Sequence, residues 1–176
     1  MIDWCELQDA EGAPATWIPD LLDRIERQPT AELWQELRHG LGVIECETWC
    51  RVSFAAIPRI AAIAEQSRGD DREEALDLAA DIARSLVFYR DADDLVRSAR
   101  DAYATLHRLA AESLADRTGI AFVQRLQAAL AFAGHTLWAT VGMDYSDEHY
   151  GLDCPHCARQ IFVVIGRYGC YSAIRH

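Results

Sequence analysis

The segment Cys154-Pro155-His156-Cys157 has the residue types and spacing best suited to chemistry. A C-x2-C turn can place two thiolates on one Zn²⁺ ion, at Zn–S distances of about 2.3 Å. Two thiolates make only half of a tetrahedral site, so other residues must complete it. We predict Cys154, Cys157 and His176 as metal ligands, with His149 and His156 also within reach. The alternative is a turn of the same shape that holds no metal.

The choice of His176 depends on a predicted β-hairpin after the knuckle. Residues 161–165 are β-branched or aromatic, a Gly-Arg-Tyr-Gly turn follows, and residues 170–174 form the second strand. If the hairpin turns at residues 167–168, residue 159 faces His176 beside Cys157. Cys170 then lies near the turn, about 17 Å from the knuckle at about 3.3 Å per residue. The register therefore favours His176 over Cys170 as a ligand.

Other catalytic chemistries lack their residues in this sequence. A redox-active C-x-x-C opens a helix after a strand, whereas here a strand is predicted to follow. A zinc deaminase needs Pro before the first Cys, and Pro155 comes after it. There is no Gly-x-Ser-x-Gly elbow, no His-Glu-x-x-His and, since the chain has no Lys, no phosphate-binding P-loop. We therefore predict no catalytic residues and a protein that is not an enzyme. Cys46 and Cys50, four residues apart, are interpreted as core residues.

The charge balance indicates the class of partner. The 176 residues include 28 acidic and 17 basic residues, for a formal net charge of −11, and every basic residue is Arg. Nucleic-acid binding through phosphates requires a cationic surface, so the balance argues against it and favours a protein partner with a basic surface. No apolar run reaches the length of a membrane span, and the first residues lack the pattern of a secretion signal. We predict a cytoplasmic location, no membrane association and reduced thiols.

The knuckle and hairpin follow a helical body, because residues 14–143 show mostly helical patterns. The first helix has Pro19 in its first turn and ends near Gln28, and others are predicted at about 31–39, 47–67, 70–89, 92–115 and 119–133. The apolar stripes place Trp49 and Phe122 in the core. Acidic residues become rare after residue 148. We predict a helical domain over residues 1–145 and a C-terminal unit with the hairpin and knuckle over residues 146–176.

Four stretches resemble a family of uncharacterised bacterial HEAT-like repeat proteins. They are Ile2-Asp3-Trp4, the Trp17–Leu22 segment, Leu33-Trp34-Gln35-Glu36-Leu37-Arg38-His39-Gly40 and Ser53-Phe54-Ala55-Ala56-Ile57-Pro58, with a later helix at Leu126–His135 and the Cys-Pro-His-Cys near the end also similar. The resemblance implies a mainly α fold, an α-solenoid of antiparallel helices with a small C-terminal β appendage, and protein–protein contacts. It brings no catalytic residues. This chain departs from the pattern at Leu41 and Gly42, where the family has a polar pair.

Two functions are compatible with these features. The first is a protein-binding module, most concretely an acidic inhibitor of the immunity or antitoxin type that occludes a basic partner by steric and charge complementarity. The second is a structural or regulatory module in which Zn²⁺ at the C-terminal knuckle controls folding of the hairpin.

Overall fold

A computed structural model describes residues 2–43, 48–89, 91–140, 150–154, 156–157, 160–166 and 169–174. The helices in these ranges are α1 (Ile18–Arg27), α2 (Ala31–Gly40), α3 (Arg51–Gln66), α4 (Asp70–Arg84), α5 (Asp93–Ser98), α6 (Arg100–Glu112), α7 (Gly119–Phe132) and α8 (Thr136–Thr140). Short 3-10 turns occur at Ala15–Trp17, Ser85–Val87 and Ser113–Asp116. The strands are β1 (Tyr150–Asp153), β2 (Gln160–Gly166) and β3 (Gly169–Ile174). The prediction of a mainly helical chain is confirmed.

Local sequence signals explain the ends of the first two helices. Pro19 lies in the first turn of α1, where its missing N–H is not needed. Thr30 caps α2, because its hydroxyl accepts the Leu33 N–H at 3.3 Å. The last turn of α2 carries Arg38 and His39, as favoured at a helix C-terminus.

Helix α3 begins later than predicted, and this corrects the placement of Trp49. Cys50 has extended backbone and precedes the first helical residue, Arg51. The hydroxyl of buried Thr48 donates to the Leu41 carbonyl at 2.9 Å, which holds the chain before α3 in a non-helical path. The side chain of Trp49 is consequently 60% exposed instead of lying in the core.

The predicted helix over residues 92–115 is interrupted at Ala99. The N–H of Ala99 is shared between the carbonyls of Leu95 and Val96, which ends α5 before α6 begins. The predicted helix over residues 70–89 likewise tightens into a 3-10 turn after Arg84. There the Ser85 hydroxyl donates to the Asp81 carbonyl at 3.0 Å.

The long helices pair in sequence order, α1 with α2, α3 with α4, and α6 with α7. We call these pairs the first, second and third hairpins. Neighbouring hairpins pack through corresponding helices, since α3 contacts α1 and α6, and α4 contacts α7. The buried apolar side chains of all three hairpins form one hydrophobic core.

Four ion pairs link neighbouring hairpins. Each joins an Arg on one helix to a carboxylate on the corresponding helix of the adjacent hairpin. The pairs are Arg59–Asp23 at 2.6 Å (α3 to α1), Arg38–Asp81 at 2.8 Å (α2 to α4), Arg108–Glu65 at 2.7 Å (α6 to α3) and Arg125–Glu73 at 2.7 Å (α7 to α4). These contacts join residues 36 to 52 positions apart. The exposed pairs contribute little stability individually. Asp81 and Arg125 are buried, so their pairs combine a stronger attraction with a desolvation cost.

The buried face of α7 differs from the predicted one. Phe122 was expected in the core and is 37% exposed, while Arg125 is only 3% exposed. Arg125 turns toward α4 because Glu73 and Asp77 lie there, at 2.7 and 3.0 Å. Ala128, Ala129 and Phe132 then form the buried side of this helix.

The strands form an antiparallel sheet in the order β1-β2-β3. Ile161 of β2 pairs with Leu152 of β1 and Ile174 of β3, and Ile165 pairs with Cys170. Strand β1 was not predicted. The predicted domain boundary near residue 145 lies outside the described residues. Within the described ranges, no helix has the length and apolarity that a bilayer crossing requires.

Candidate functional site

The knuckle lies in the connection between β1 and β2. Asp153 and Gln160 are the last paired residues of the two strands, so the turn that begins at Cys154 connects them. Cys154 is half-buried, Cys157 is exposed, and both thiols are free. An antiparallel strand pair thus flanks a turn with one half-buried and one exposed cysteine.

Hydrogen bonds to the sulfur lower the pKa of Cys154 below the ordinary thiol value. The main cause is the backbone N–H of His156, followed by the backbone N–H of Cys157 and the Cys157 side chain, which outweigh slight desolvation. Donors aimed at a sulfur favour its charged form, and the thiolate is the form that binds metal or acts as a nucleophile. Cys154 is therefore more readily ionised than an ordinary thiol.

The register brings the end of β3 toward the knuckle. Ile174 is paired with Ile161, close to Asp153–Gln160 where the knuckle begins, whereas Cys170 is paired near the other end of β2. His176 and His149, two of the predicted candidate ligands, lie outside the described residues. Among the residues that are described, no group of three or more His, Cys, Asp or Glu side chains is arranged to hold a metal ion. The described part of the chain thus supplies two candidate sulfur ligands at this place.

Besides Cys170 in β3, the remaining cysteines within the described ranges are Cys5 and Cys50. Cys5 is exposed, and Cys50 is half-buried and packs against the core. Burial raises the pKa of the Cys50 thiol, as does the charge of Asp9, and a hydrogen bond with Thr48 opposes them. Cys46, its predicted neighbour, lies outside the described residues.

Negative charge is concentrated on the first hairpin and the segment before it. Residues 2–40 carry nine acidic residues and three Arg, residues 41–89 carry nine and five, and residues 90–140 carry six of each. Asp20, Glu32 and Glu36 are exposed on α1 and α2. The largest surplus of acids is thus in residues 2–40, where a basic partner would meet the strongest attraction.

A shallow depression of about 290 Å³ lies on this acidic part of the chain. Its lining includes Asp9, Glu11, Trp17, His39 and Gly40. The Trp17 indole donates to Asp9 at 3.0 Å, and His39 Nε2 lies 3.2 Å from a Glu11 carboxylate oxygen. Desolvation alone would raise the pKa of Asp9, but hydrogen bonds from Trp17 and from backbone N–H groups lower it overall. The depression therefore presents ionised carboxylates beside an aromatic edge.

Three exposed aromatic side chains form a feature that the sequence reasoning missed. Trp49, Phe88 and Trp138 are 60%, 70% and 53% exposed. Hydrophobicity patterns assign such residues to the core. Trp49 instead lies just before α3, next to the extended backbone of Cys50, and Phe88 lies just after the 3-10 turn that follows α4. Exposed aromatic side chains are common anchors of protein interfaces.

Comparison with known proteins finds no matching family model, no matching curated protein and no matching solved structure.

Proposed function

We propose that this chain is a protein-binding module, most concretely an acidic inhibitor of the immunity or antitoxin type that occludes a basic protein partner. The observation that carries the proposal is the concentration of nine acidic residues against three Arg in residues 2–40. Complementary charge raises association rates and excludes acidic competitors, while steric cover of the partner's cleft blocks its activity.

The arrangement of the hairpins supports this proposal. Corresponding helices of successive hairpins pack together, with α3 between α1 and α6. Stacked helical hairpins of this kind are the unit of HEAT-like α-solenoids, which present extended surfaces to partners. We include a short HEAT-like solenoid in the proposal, with the first hairpin as its acidic end.

The pairing of the Arg side chains within the protein also supports the proposed function. Eight Arg residues form ion pairs with carboxylates within the described ranges: Arg24, Arg38, Arg51, Arg59, Arg84, Arg108, Arg117 and Arg125. Others, such as Arg72, donate to backbone carbonyls. Most of the positive charge in the described ranges is thus paired within the protein, and exposed acids such as Asp20 and Glu32 remain to attract a partner.

The experiment is capture of partners by the purified chain from native lysate at low and raised salt, followed by an assay of the captured protein's own activity. We expect one stoichiometric basic protein that is released at raised salt and whose activity the chain inhibits. The variant Asp20→Asn/Glu32→Gln/Glu36→Gln should weaken capture at least tenfold.

A matched control carries the same loss of charge on the third hairpin. Asp101, Glu112 and Asp116 are exposed there, and Asp101→Asn/Glu112→Gln/Asp116→Asn should leave capture nearly unchanged. Equal losses in both variants would contradict a role for the first hairpin. The proposal would be overturned if no basic protein were captured, or if the chain did not inhibit the activity of the captured protein.

The second candidate function is a zinc-dependent structural or regulatory module, favoured by the N–H groups of His156 and Cys157 that donate to the Cys154 sulfur. Donors to a thiolate sulfur help to hold a C-x2-C turn in the form that binds metal. The proposed ligands are Cys154, Cys157 and His176, with His149 or His156 as further donors. Zn²⁺ here would hold the connection between β1 and β2 against the end of β3.

Titration with Co²⁺, whose absorption counts thiolate ligands, tests this candidate. We expect one Co²⁺ ion to bind per chain, with charge-transfer absorption of the intensity expected for two thiolate ligands. Added Zn²⁺ should displace the Co²⁺ and remove this absorption. Cys154→Ser and Cys157→Ser should abolish the bands and His176→Ala should weaken binding, while Cys5→Ser serves as the control for an exposed thiol. Binding that survives Cys154→Ser, or that Cys5→Ser abolishes, would exclude this site.

A further inference from the structure

The turn between β1 and β2 brings two thiols together. The Cys157 side chain donates a hydrogen bond to the Cys154 sulfur, and the backbone N–H groups of His156 and Cys157 donate to the same atom. A hydrogen bond between the two side chains requires their sulfur atoms to be neighbours. Both cysteines are free, Cys154 half-buried and Cys157 exposed. Two free thiols in contact are the starting point of a disulfide bond.

The backbone of this turn suits a disulfide. Asp153 and Gln160 are paired, so the strands hold the two ends of the connection together. His156 and Cys157 have turn backbone, and the Cys157 N–H reaches back to the Cys154 side chain, so the chain reverses between the two cysteines. The first and last Cα atoms of a four-residue turn lie within about 7 Å, and a disulfide needs Cα atoms about 4.4–6.8 Å apart. A bond between Cys154 and Cys157 therefore requires little movement of the strands.

The strand register separates this pair from Cys170. Cys170 is paired with Ile165, whereas the turn joins β2 at Gln160. Five residues along a strand, at about 3.3 Å each, span about 17 Å. This distance is far greater than the Cα separation that a disulfide permits. Within the sheet, a disulfide is thus limited to Cys154 and Cys157.

We infer that Cys154 and Cys157 are an oxidation site, at which a small-molecule disulfide converts the two thiols into one reversible intramolecular disulfide. The thiolate of one cysteine attacks a sulfur of the small disulfide, whose S–S bond breaks and releases one thiolate. The thiolate of the second cysteine then attacks the first cysteine's sulfur in the mixed disulfide, and the second small thiolate leaves. The two protons of the cysteine thiols end on the two released small thiols. The cysteines thus lose two electrons, which the small disulfide gains.

This site is independent of both proposed functions. The bond forms in the metal-free chain without a partner, and the cysteine pair is the substrate of the exchange, not a catalyst. It nevertheless has a consequence for the proposed zinc site, because only a free thiol can become the thiolate that binds metal. Any Co²⁺ binding at Cys154 and Cys157 should therefore be lost on oxidation and restored on reduction. A chain that forms the disulfide but binds no Co²⁺ contradicts the zinc candidate alone.

The test is incubation of the purified full chain with glutathione and a chelator, followed by acid quenching, alkylation and mass spectrometry. With about 1 mM reduced and about 0.1 mM oxidised glutathione, we expect a mass loss of about 2 Da, a peptide that bridges Cys154 and Cys157, and full reversal by dithiothreitol. Exposed Cys5 is the internal control. The ratio of bridged to reduced pair should exceed the ratio of glutathione-bound to free Cys5 at least tenfold, because the second step at the pair is intramolecular.

Substitutions identify the two sulfur atoms. Cys154→Ser and Cys157→Ser should each abolish the mass loss and leave a glutathione adduct on the remaining cysteine of the pair, whereas Cys5→Ser should leave the bridge unchanged. Circular dichroism confirms that the variants are folded, and the wild-type peptide map locates the bridge without any variant. The inference is overturned by a wild-type chain without a bridge, by a bridge that includes another cysteine, or by a bridged fraction no higher than that of the Cys5 adduct.

Discussion

At the scale of single residues, Gly40 is a position where the surrounding side chains leave no space for a Cβ atom. A Cβ atom at Gly40 would lie 2.3 Å from Trp17 Cη2 and 3.0 Å from Ile18 Cδ1. The indole has little freedom to retreat, because its N–H is bonded to Asp9. We predict that Gly40→Ala lowers the free energy of unfolding by about 1–3 kcal/mol through overpacking.

Chemical denaturation of Gly40→Ala measures this loss, and a double-mutant cycle with Trp17→Ala identifies its cause. In the Trp17→Ala background the added methyl group has space, so Gly40→Ala should then have almost no effect. The same loss in both backgrounds would contradict the steric explanation.

The carboxylate of Asp9, in the segment before the first hairpin, makes this part of the fold sensitive to pH. Its folded pKa is below the ordinary value of 3.8 because of bonds from Trp17 and backbone N–H groups. A depressed carboxyl pKa stabilises the fold above the unfolded pKa, and this contribution is lost as pH falls through the folded value. We predict that unfolding free energy falls more steeply below pH 4 in wild type than in Asp9→Asn. Identical pH profiles would contradict this.

At the scale of elements, the contact of α4 with α7 contains a buried guanidinium with unused donors. The Arg125 side chain is 2% exposed, and its Nε and Nη1 have no hydrogen-bond partner within the described residues. Glu73 keeps Arg117 as a second partner, and Asp77 is 56% exposed, so removing Arg125 leaves no buried unpaired charge. We predict that Arg125→Met changes the unfolding free energy by less than about 1 kcal/mol or increases it.

Asp81→Asn is the comparison for Arg125→Met in the same denaturation experiment. Asp81 is buried between Arg38 and Arg84, and the amide cannot neutralise either guanidinium. Asp81→Asn should lower the free energy of unfolding by about 2 kcal/mol or more, toward the range for a broken buried pair. A larger loss for Arg125→Met than for Asp81→Asn would contradict this account of the two contacts.

Sequence patterns predicted the elements whose ends depend on nearby residues. They failed where the structure depends on contacts between residues far apart in the chain. Pro19 and Thr30 act within one turn, so the starts of α1 and α2 could be read directly. The burial of Arg125 could not be predicted from sequence, because its partner Glu73 is 52 positions away. A charged residue is normally assigned to the solvent-exposed face of a helix. Strand β1 has little β propensity of its own and is a strand through its pairing with β2.

The candidate site follows the same division. The C-x2-C spacing is a local signal, so Cys154 and Cys157 were identified from sequence, whereas the donors to the Cys154 sulfur come from turn geometry that sequence does not specify. The outward position of Trp49 arises from the contact between Thr48 and Ser85, 37 positions apart. The prediction of His176 as a ligand stays a prediction.

At the scale of the whole molecule, the net charge of −11 opposes folding by self-repulsion. We predict that the melting temperature rises by several degrees between 20 and 300 mM NaCl, because screening weakens repulsion among exposed acids more than it weakens the buried ion pairs. The variant Asp20→Asn/Glu32→Gln/Glu36→Gln should show a smaller rise in a thermal scan. A melting temperature that falls with salt would mean that the ion pairs between hairpins dominate.

The uneven charge of the hairpins also gives the helical part of the chain a permanent electric dipole. Its negative pole lies at the first hairpin and the segment before it, since residues 2–40 have six surplus acids and residues 90–140 have none. In the field of a positively charged surface, such a molecule rotates before it touches. The first hairpin would therefore lead every productive encounter, and orientation would be settled while the two surfaces are still separated by water.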